Sequence, residues 1–437
     1  MVPRNLVVCS DGTGNTFAQH VSNVSHLVQS ADLTSPNQQV VLYDQGIGTT
    51  ASLVDDIKRF KARDRDRDGL IILDPPKVPV ARSLAKLAGL TAGYGLFANL
   101  REMYQALAKH HNRETDLVFL MGFSRGAFTV RALAGLLYRC GLPARRFADD
   151  DEDFSCCFSQ AYAAYKPHCE DWARIDRFRK VYQAEDVAIH FLGIWDTVKS
   201  YGGIWPQSLP HLRYNPIIRN VRHALALNEH RSWFLPTSWG GIDRDAHLAP
   251  TIRFDPRYER QVVKEVWFVG CHSDIGGGDK EAETAKIACR WMLGEATHAG
   301  LLLDRHCQNW IFEPDQSNMK LDIHESYGAG WWLSDLIPRW ELDNSTRPPG
   351  YPFKWPGRGA RCTENTRRNR NLYFHSTTGV GPADGLVPVE SLRRLTRDEA
   401  ANVQLDEWLR SKEPASSLGP PNVRRACRPA STECNVA

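Results

Sequence analysis

No run of 18 apolar residues occurs in the 437-residue chain, although a membrane-crossing helix needs about 20. The closest stretch, LAKLAGLTAGYGLFANL, is interrupted by glycines and polar residues and suits a buried helix or loop better than a span. The opening MVPRNLVVCSDG is not expected to act as a cleavable export signal, because its apolar run has the length of a strand and ends in an acid. The product is therefore expected to start in the cytoplasm, with any export left to a non-classical secretion route. Excess charge of one sign is absent, with 54 Lys plus Arg against 51 Asp plus Glu, so no basic footprint for nucleic acid is present. No C-x-x-C pair appears among the eleven cysteines, and only Cys156 and Cys157 lie close together. Such a set argues against a disulfide framework or a structural zinc site, and reads mostly as small buried hydrophobes. No internal repeat is visible.

What is present is material for a large core: 42% hydrophobic residues and 13 tryptophans. Short apolar runs bounded by turn residues recur at NLVVCS, QQVVLYD, DLVFLMG, VAIHFLG and KEVWFVG. Helix-period segments separate them, at 23–31, 96–109, 127–139 and within 151–184. That alternation predicts an α/β fold with a mainly parallel sheet flanked by helices. From about Asp304 the character changes, as Trp331, Trp332, Trp340 and Trp355 mix with prolines and with RRNR at 367–370. The expected organisation is a catalytic domain over 1–303, a Trp-rich cap or lid over 304–410 and a disordered polar tail over 411–437.

Chemistry concentrates where strands end. Leu117 to Met121 runs into Gly122, Phe123, Ser124, Arg125 and Gly126 and then into a helix. This is G-x-S-x-G, in which small flanking residues let a strained strand-to-helix turn lift a serine hydroxyl clear of the backbone. A serine hydroxyl is a weak nucleophile at neutral pH and needs an imidazole base, oriented in turn by an acid. The strand VAIHFLG runs into Asp196, and KEVWFVG runs into His272 and a glycine run. Active sites of open parallel sheets form at the carboxyl ends of strands. The order Ser124, Asp196, His272 is that of α/β-hydrolases. An oxyanion hole would take one amide from Arg125 and a second from the glycine-rich turn SDGTGNT, where Gly12 and Thr13 are the candidates. His375, in NLYFHSTTG, is a rival base. Arg125 and Arg131 are candidates to meet a substrate phosphate.

With these residues in place, the chain resembles the catalytic-domain family of type VI secretion phospholipase effectors. The resemblance rests on SDGTGNT, YDQGIGT, GYGLFANLREMYQAL, GFSRGA, GIWDTV, HALALNEHRSWFLP and HSDIGGG, in that order, across about residues 5–280. It implies an α/β-hydrolase domain with Ser124 as nucleophile, Asp196 as orienting acid and His272 as base, acting on ester bonds of glycerophospholipids. The implied partners are a phospholipid or other ester substrate, transient contact with a membrane surface, and unidentified secretion or immunity proteins. No metal or organic cofactor is required by this chemistry.

Other readings compete. Asp11, Asn15, His272 and Asp274 could surround a divalent ion in a metal-dependent phosphoesterase. A non-catalytic interaction module on a hydrolase scaffold is a third class. Asp64, Asp66, Asp68 and Gly69 imitate the start of a calcium-binding loop, but its closing position is Pro75 where a glutamate should stand. The DGT string resembles a phosphatase loop, yet Cys9 stands where such a loop needs a second aspartate.

Overall fold

A computed structural model describes residues 3–12, 21–45, 69–73, 91–166, 172–198, 209–231, 234, 236–237, 239, 261–278, 283–304 and 324, with short strands beyond. Seven strands form the frame: β1 (Arg4–Ser10), β2 (Gln39–Asp44), β3 (Leu70–Ile72), β4 (Asp116–Phe123), β5 (Ile189–Trp195), β6 (Ile218–Ala226) and β7 (Val262–Phe268). The helices are α1 (Asn23–Ser30), α2 (Thr91–His110), α3 (Arg125–Cys140), α4 (Asp151–Tyr165), α5 (Trp172–Val181), α6 (His272–Gly276) and α7 (Glu283–His298).

All seven strands run parallel in the order β3-β2-β1-β4-β5-β6-β7. The order reverses between β1 and β4, which opens a crevice above their carboxyl ends, the usual ligand position in doubly wound sheets. Further along the chain β8 (Arg339–Trp340) pairs with β9 (Phe353–Lys354). Next to β7 lies β10 (Leu372–His375), flanked by β11 (Leu405–Asp406) and β12 (Arg425–Cys427), so part of the chain beyond Asp304 extends the main sheet. Trp331, Trp332 and Trp355, like most of the expected cap and tail, lie outside the described residues. So do Asp64, Asp66 and Asp68.

The apolar runs are continuous because both faces of the sheet are covered. Along β1 and β4, Leu6, Val8, Val118 and Leu120 enter one core with α2, α3, α4 and α5. Val7, Cys9, Phe119 and Met121 enter the other with α1 and α7. Each fully buried side chain of this size contributes about 1.5–3 kcal/mol of transfer free energy. The described cysteines are free thiols; Cys9, Cys140, Cys157, Cys271 and Cys289 are buried and Cys156 is exposed. Helix starts follow local chemistry: Ser22 Oγ accepts the Ser25 N–H at 3.0 Å, and Asp150 accepts from Glu152 and Asp153 at 2.9 Å.

Two strands differ from the sequence expectation. β3 falls in a stretch that reads as a charged loop, and β6, IRNVRHALA, reads as no strand because arginine and histidine interrupt it. Those side chains are buried but partnered. Arg222 pairs with Glu295, which also accepts Lys264 Nζ at 2.7 Å, and His223 pairs with Glu265. A central strand tolerates such residues once each buried polar group has its partner.

Candidate active site

Ser124 lies between β4 and α3 with φ 56° and ψ −117°. Its N–H donates to Trp195 O at 3.0 Å, tying the turn to the end of β5. The flanking glycines are required by space. A Cβ on Gly126 would sit 2.1 Å from Ser10 O, and one on Gly122 would sit 2.8 Å from the backbone of Ala127. The helix that follows Ser124 therefore abuts the end of β1 as no larger residue would allow.

Asp196 follows β5 directly, also at positive φ, 40°. Of the four described non-glycine residues with positive φ, Ser124 and Asp196 are two. Such strain costs about 1–3 kcal/mol per residue and persists where the surroundings over-determine it. Asp196 is fully buried; its Oδ1 accepts the Ala226 N–H at 3.0 Å and its N–H donates to Ala224 O at 2.7 Å.

His272 opens the short helix α6 beyond β7. Asp274 caps that helix by accepting the Cys271 N–H at 2.9 Å, and it also faces His324 Nδ1 at 2.6 Å. Gly276 packs against Phe123 where a Cβ would stand 1.8 Å from the ring. The imidazole bridges the two other residues, with Nδ1 2.5 Å from Asp196 Oδ2 and Nε2 2.8 Å from Ser124 Oγ. Phe123 and Phe234 flank the ring at centroid distances of 4.7 and 4.9 Å. Three residues from three strand ends thus stand in one hydrogen-bonded line, an arrangement able to move a proton from a hydroxyl to an imidazole and hold the resulting imidazolium beside a carboxylate.

The expected oxyanion donors are distributed less simply. Arg125 is the first residue of α3, so its N–H has no intrahelical acceptor. Gly12 N–H instead donates to Asp11 Oδ1 at 2.6 Å, and so is committed within its own turn. Thr13 lies outside the described residues. The two arginines also part company. Arg131 is fully buried, donating to Leu212 O and Thr237 O at 2.6 Å with its guanidinium 5.1 Å from the Trp239 ring, so it is a tie within the frame. Arg125 has no ion-pair or hydrogen-bond partner for its guanidinium among the described residues, and burial alone pushes its pKa down to about 10.

The described members of the alternative metal set face separate partners. Asp11 accepts from Gly12, Ser22, Ser25 and Tyr43, and Asp274 takes Cys271 and His324. His272 is engaged by Ser124 and Asp196, and Asn15 lies outside the described residues. Among the described residues no group of three or more His, Cys, Asp or Glu side chains could hold a metal ion. His375, the rival base, ends β10.

A family model described as "T6SS, Phospholipase effector Tle1-like, catalytic domain" matches residues 4–295. The chain belongs to this family. As a Tle1-like catalytic domain it has an α/β-hydrolase-like fold, a parallel sheet flanked by helices. The uncharacterized protein YEL023C of Saccharomyces cerevisiae is 26% identical over 239 residues, 53% of this chain and 32% of that protein. Among solved structures, an uncharacterized protein from Pseudomonas aeruginosa aligns at TM-score 0.35 and 16% identity, covering 69% of this chain and 46% of that one. The Tle1 effector bound to the VgrG spike of the type 6 secretion system aligns at TM-score 0.27 and 18% identity, covering 64% of this chain and 52% of that one. The chain thus spans 32% of the yeast protein and 46% and 52% of the two structures. No described helix of the Tle1-like domain is long and apolar enough to cross a membrane.

Proposed function

We propose that the protein is a serine esterase that cleaves carboxylic ester bonds of phospholipids. Ser124 attacks the acyl carbonyl as His272 Nε2 takes its proton, and Asp196 holds the imidazole in the required tautomer. The Arg125 N–H, with the Thr13 amide as the remaining candidate for the second donor, receives the developing oxyanion. His272 then returns the proton to the leaving alcohol, and water releases the acid from the acyl-enzyme by the same steps in reverse. The observation that carries this reading is the 2.8 Å approach of His272 Nε2 to Ser124 Oγ while Nδ1 faces a buried carboxylate.

Phosphate-bearing lipid is favoured over a neutral ester by Arg125, a guanidinium beside the nucleophile with no acid opposing it among the described residues. The family's phospholipase description points the same way. A secretion-system partner is part of this reading, since the Tle1 effector is known in complex with a VgrG spike.

The test is fatty-acid release from a panel of phospholipids and from a short neutral ester, by the native protein and by Ser124→Ala, with and without chelator. Serine-dependent, chelator-insensitive release from phospholipid is expected. Serine-dependent hydrolysis of the neutral ester alone would remove the lipid substrate. Chelator-sensitive activity that survives Ser124→Ala would remove the serine mechanism.

A further inference from the structure

The motif HALALNEHR spans β6 and its exit, carries none of the three reacting groups, and yet touches both residues that serve the serine. On the acid side, His223 Nε2 accepts the Thr197 N–H at 3.3 Å, one residue beyond Asp196. Because an amide hydrogen occupies Nε2, the ring proton sits on Nδ1 and is donated to Glu265 Oε1 at 2.8 Å. Glu265 Oε1 in turn accepts the Trp239 N–H at 2.6 Å. The same strand supplies Ala224 O and the Ala226 N–H, the two backbone partners of Asp196. The strained Asp196 turn is thus fixed at three points by β6.

On the base side, Asn228 exchanges hydrogen bonds with Gly270, at 2.9 and 2.8 Å. Glu229 is fully buried, and its Oε2 accepts the His272 N–H at 3.2 Å. The same carboxylate accepts from Arg231 N–H, Nε and Nη2 at 2.7, 2.9 and 2.7 Å. Arg231 lies 3.8 Å from the centroid of the Phe234 ring, and Phe234 meets the His272 ring edge-on. A closed circuit results, from the His272 main chain through Glu229, Arg231 and Phe234 back to the His272 imidazole.

We propose that residues 223–231, with Phe234, are the positioning device of the active site, with His223 holding the acid and Glu229 holding the base. The inference rests on the assignment of Ser124, His272 and Asp196 as the reacting set. Neither positioning residue contacts the serine hydroxyl. They act by keeping Asp196 and His272 within hydrogen-bond reach of each other, where a misplacement of about 1 Å costs up to about a hundredfold in rate.

The experiment uses H223Q and E229Q, the second of which keeps the side chain's shape and removes its charge. Two readouts are taken: the far-downfield proton resonance of the His272–Asp196 hydrogen bond, and kcat and KM on a soluble ester. Both variants are expected to weaken or shift the resonance and to lower kcat tenfold or more, up to about a hundredfold, with KM little changed. They should still unfold cooperatively. If H223Q does not fold, E229Q carries the test alone. A folded E229Q with native resonance and native kcat overturns the proposal. A native protein lacking Ser124-dependent activity, whose resonance is nevertheless lost in the variants, would retain the positioning role and discard the nucleophile.

Discussion

Two histidine–carboxylate pairs stand side by side at the carboxyl end of this sheet. In each, Nδ1 faces a buried acid, Asp196 at 2.5 Å from His272 and Glu265 at 2.8 Å from His223. The difference lies at Nε2, which meets a serine hydroxyl in one pair and a backbone amide in the other. A hydroxyl can surrender a proton, whereas an amide N–H cannot at any accessible pH, so its hydrogen bond fixes the ring as a neutral acceptor. The chemistry of a histidine–acid pair is decided by what the far nitrogen touches.

Replacing the reacting groups should separate the pairs most. Ser124→Ala and His272→Ala are each expected to lower kcat by about 10⁴- to 10⁶-fold, and the double variant no further, since the residues act as a unit. Additive losses in steady-state kinetics would break the assignment. The acids come next. Asp196→Asn should cost about 10⁴-fold by holding the wrong tautomer. Glu265→Gln keeps an acceptor for Trp239 and for His223 Nδ1–H, and should cost about tenfold, within the range of a positioning defect. Equal losses in the two variants would erase the distinction.

The smallest effect concerns acid stability. Burial, opposed by the Glu265 and Asp196 carboxylates and reinforced by Arg131, lowers the pKa of His223. Burial also lowers that of His26, and that of His211 to about 3. Unfolded imidazoles take up protons near pH 6.5, so below that pH the unfolded state binds more protons than the folded one. Stability contributed by these rings is complete above about pH 6.5 and is lost as the pH falls toward each folded pKa, at about 1.4 kcal/mol per pH unit for each ring. Urea midpoints between pH 7.5 and 4.5 should show that slope, and H223Q should flatten it. An unchanged slope in H223Q would mean that His223 carries no part of it.

The contrast also explains what could be read beforehand. Ser124, Asp196 and His272 were legible because each follows a continuous apolar run, and β1, β2, β4, β5 and β7 announced themselves the same way. The strand that frames them did not. Arg222 and His223 make β6 look like a loop, because their partners, Glu295 and Glu265, lie 73 and 42 residues away in sequence. Helix periodicity over 151–184 was real but did not show that α4 and α5 are separate. Gly12 exposed its turn to view, but the self-directed bond to Asp11 is a matter of local torsion that glycine content does not encode.

Strand order carries a consequence for how the protein is made. β5, β6 and β7 are laid down in turn on the same side of β4, and 148 residues separate Ser124 from His272. A nascent chain on the ribosome therefore presents its serine, then the acid, then the brace on β6, and receives its imidazole after the last of these strands. On the proposed assignment no serine–histidine pair can form until β7 and the turn that carries His272 have emerged, so hydrolytic power waits for the last of the seven frame strands.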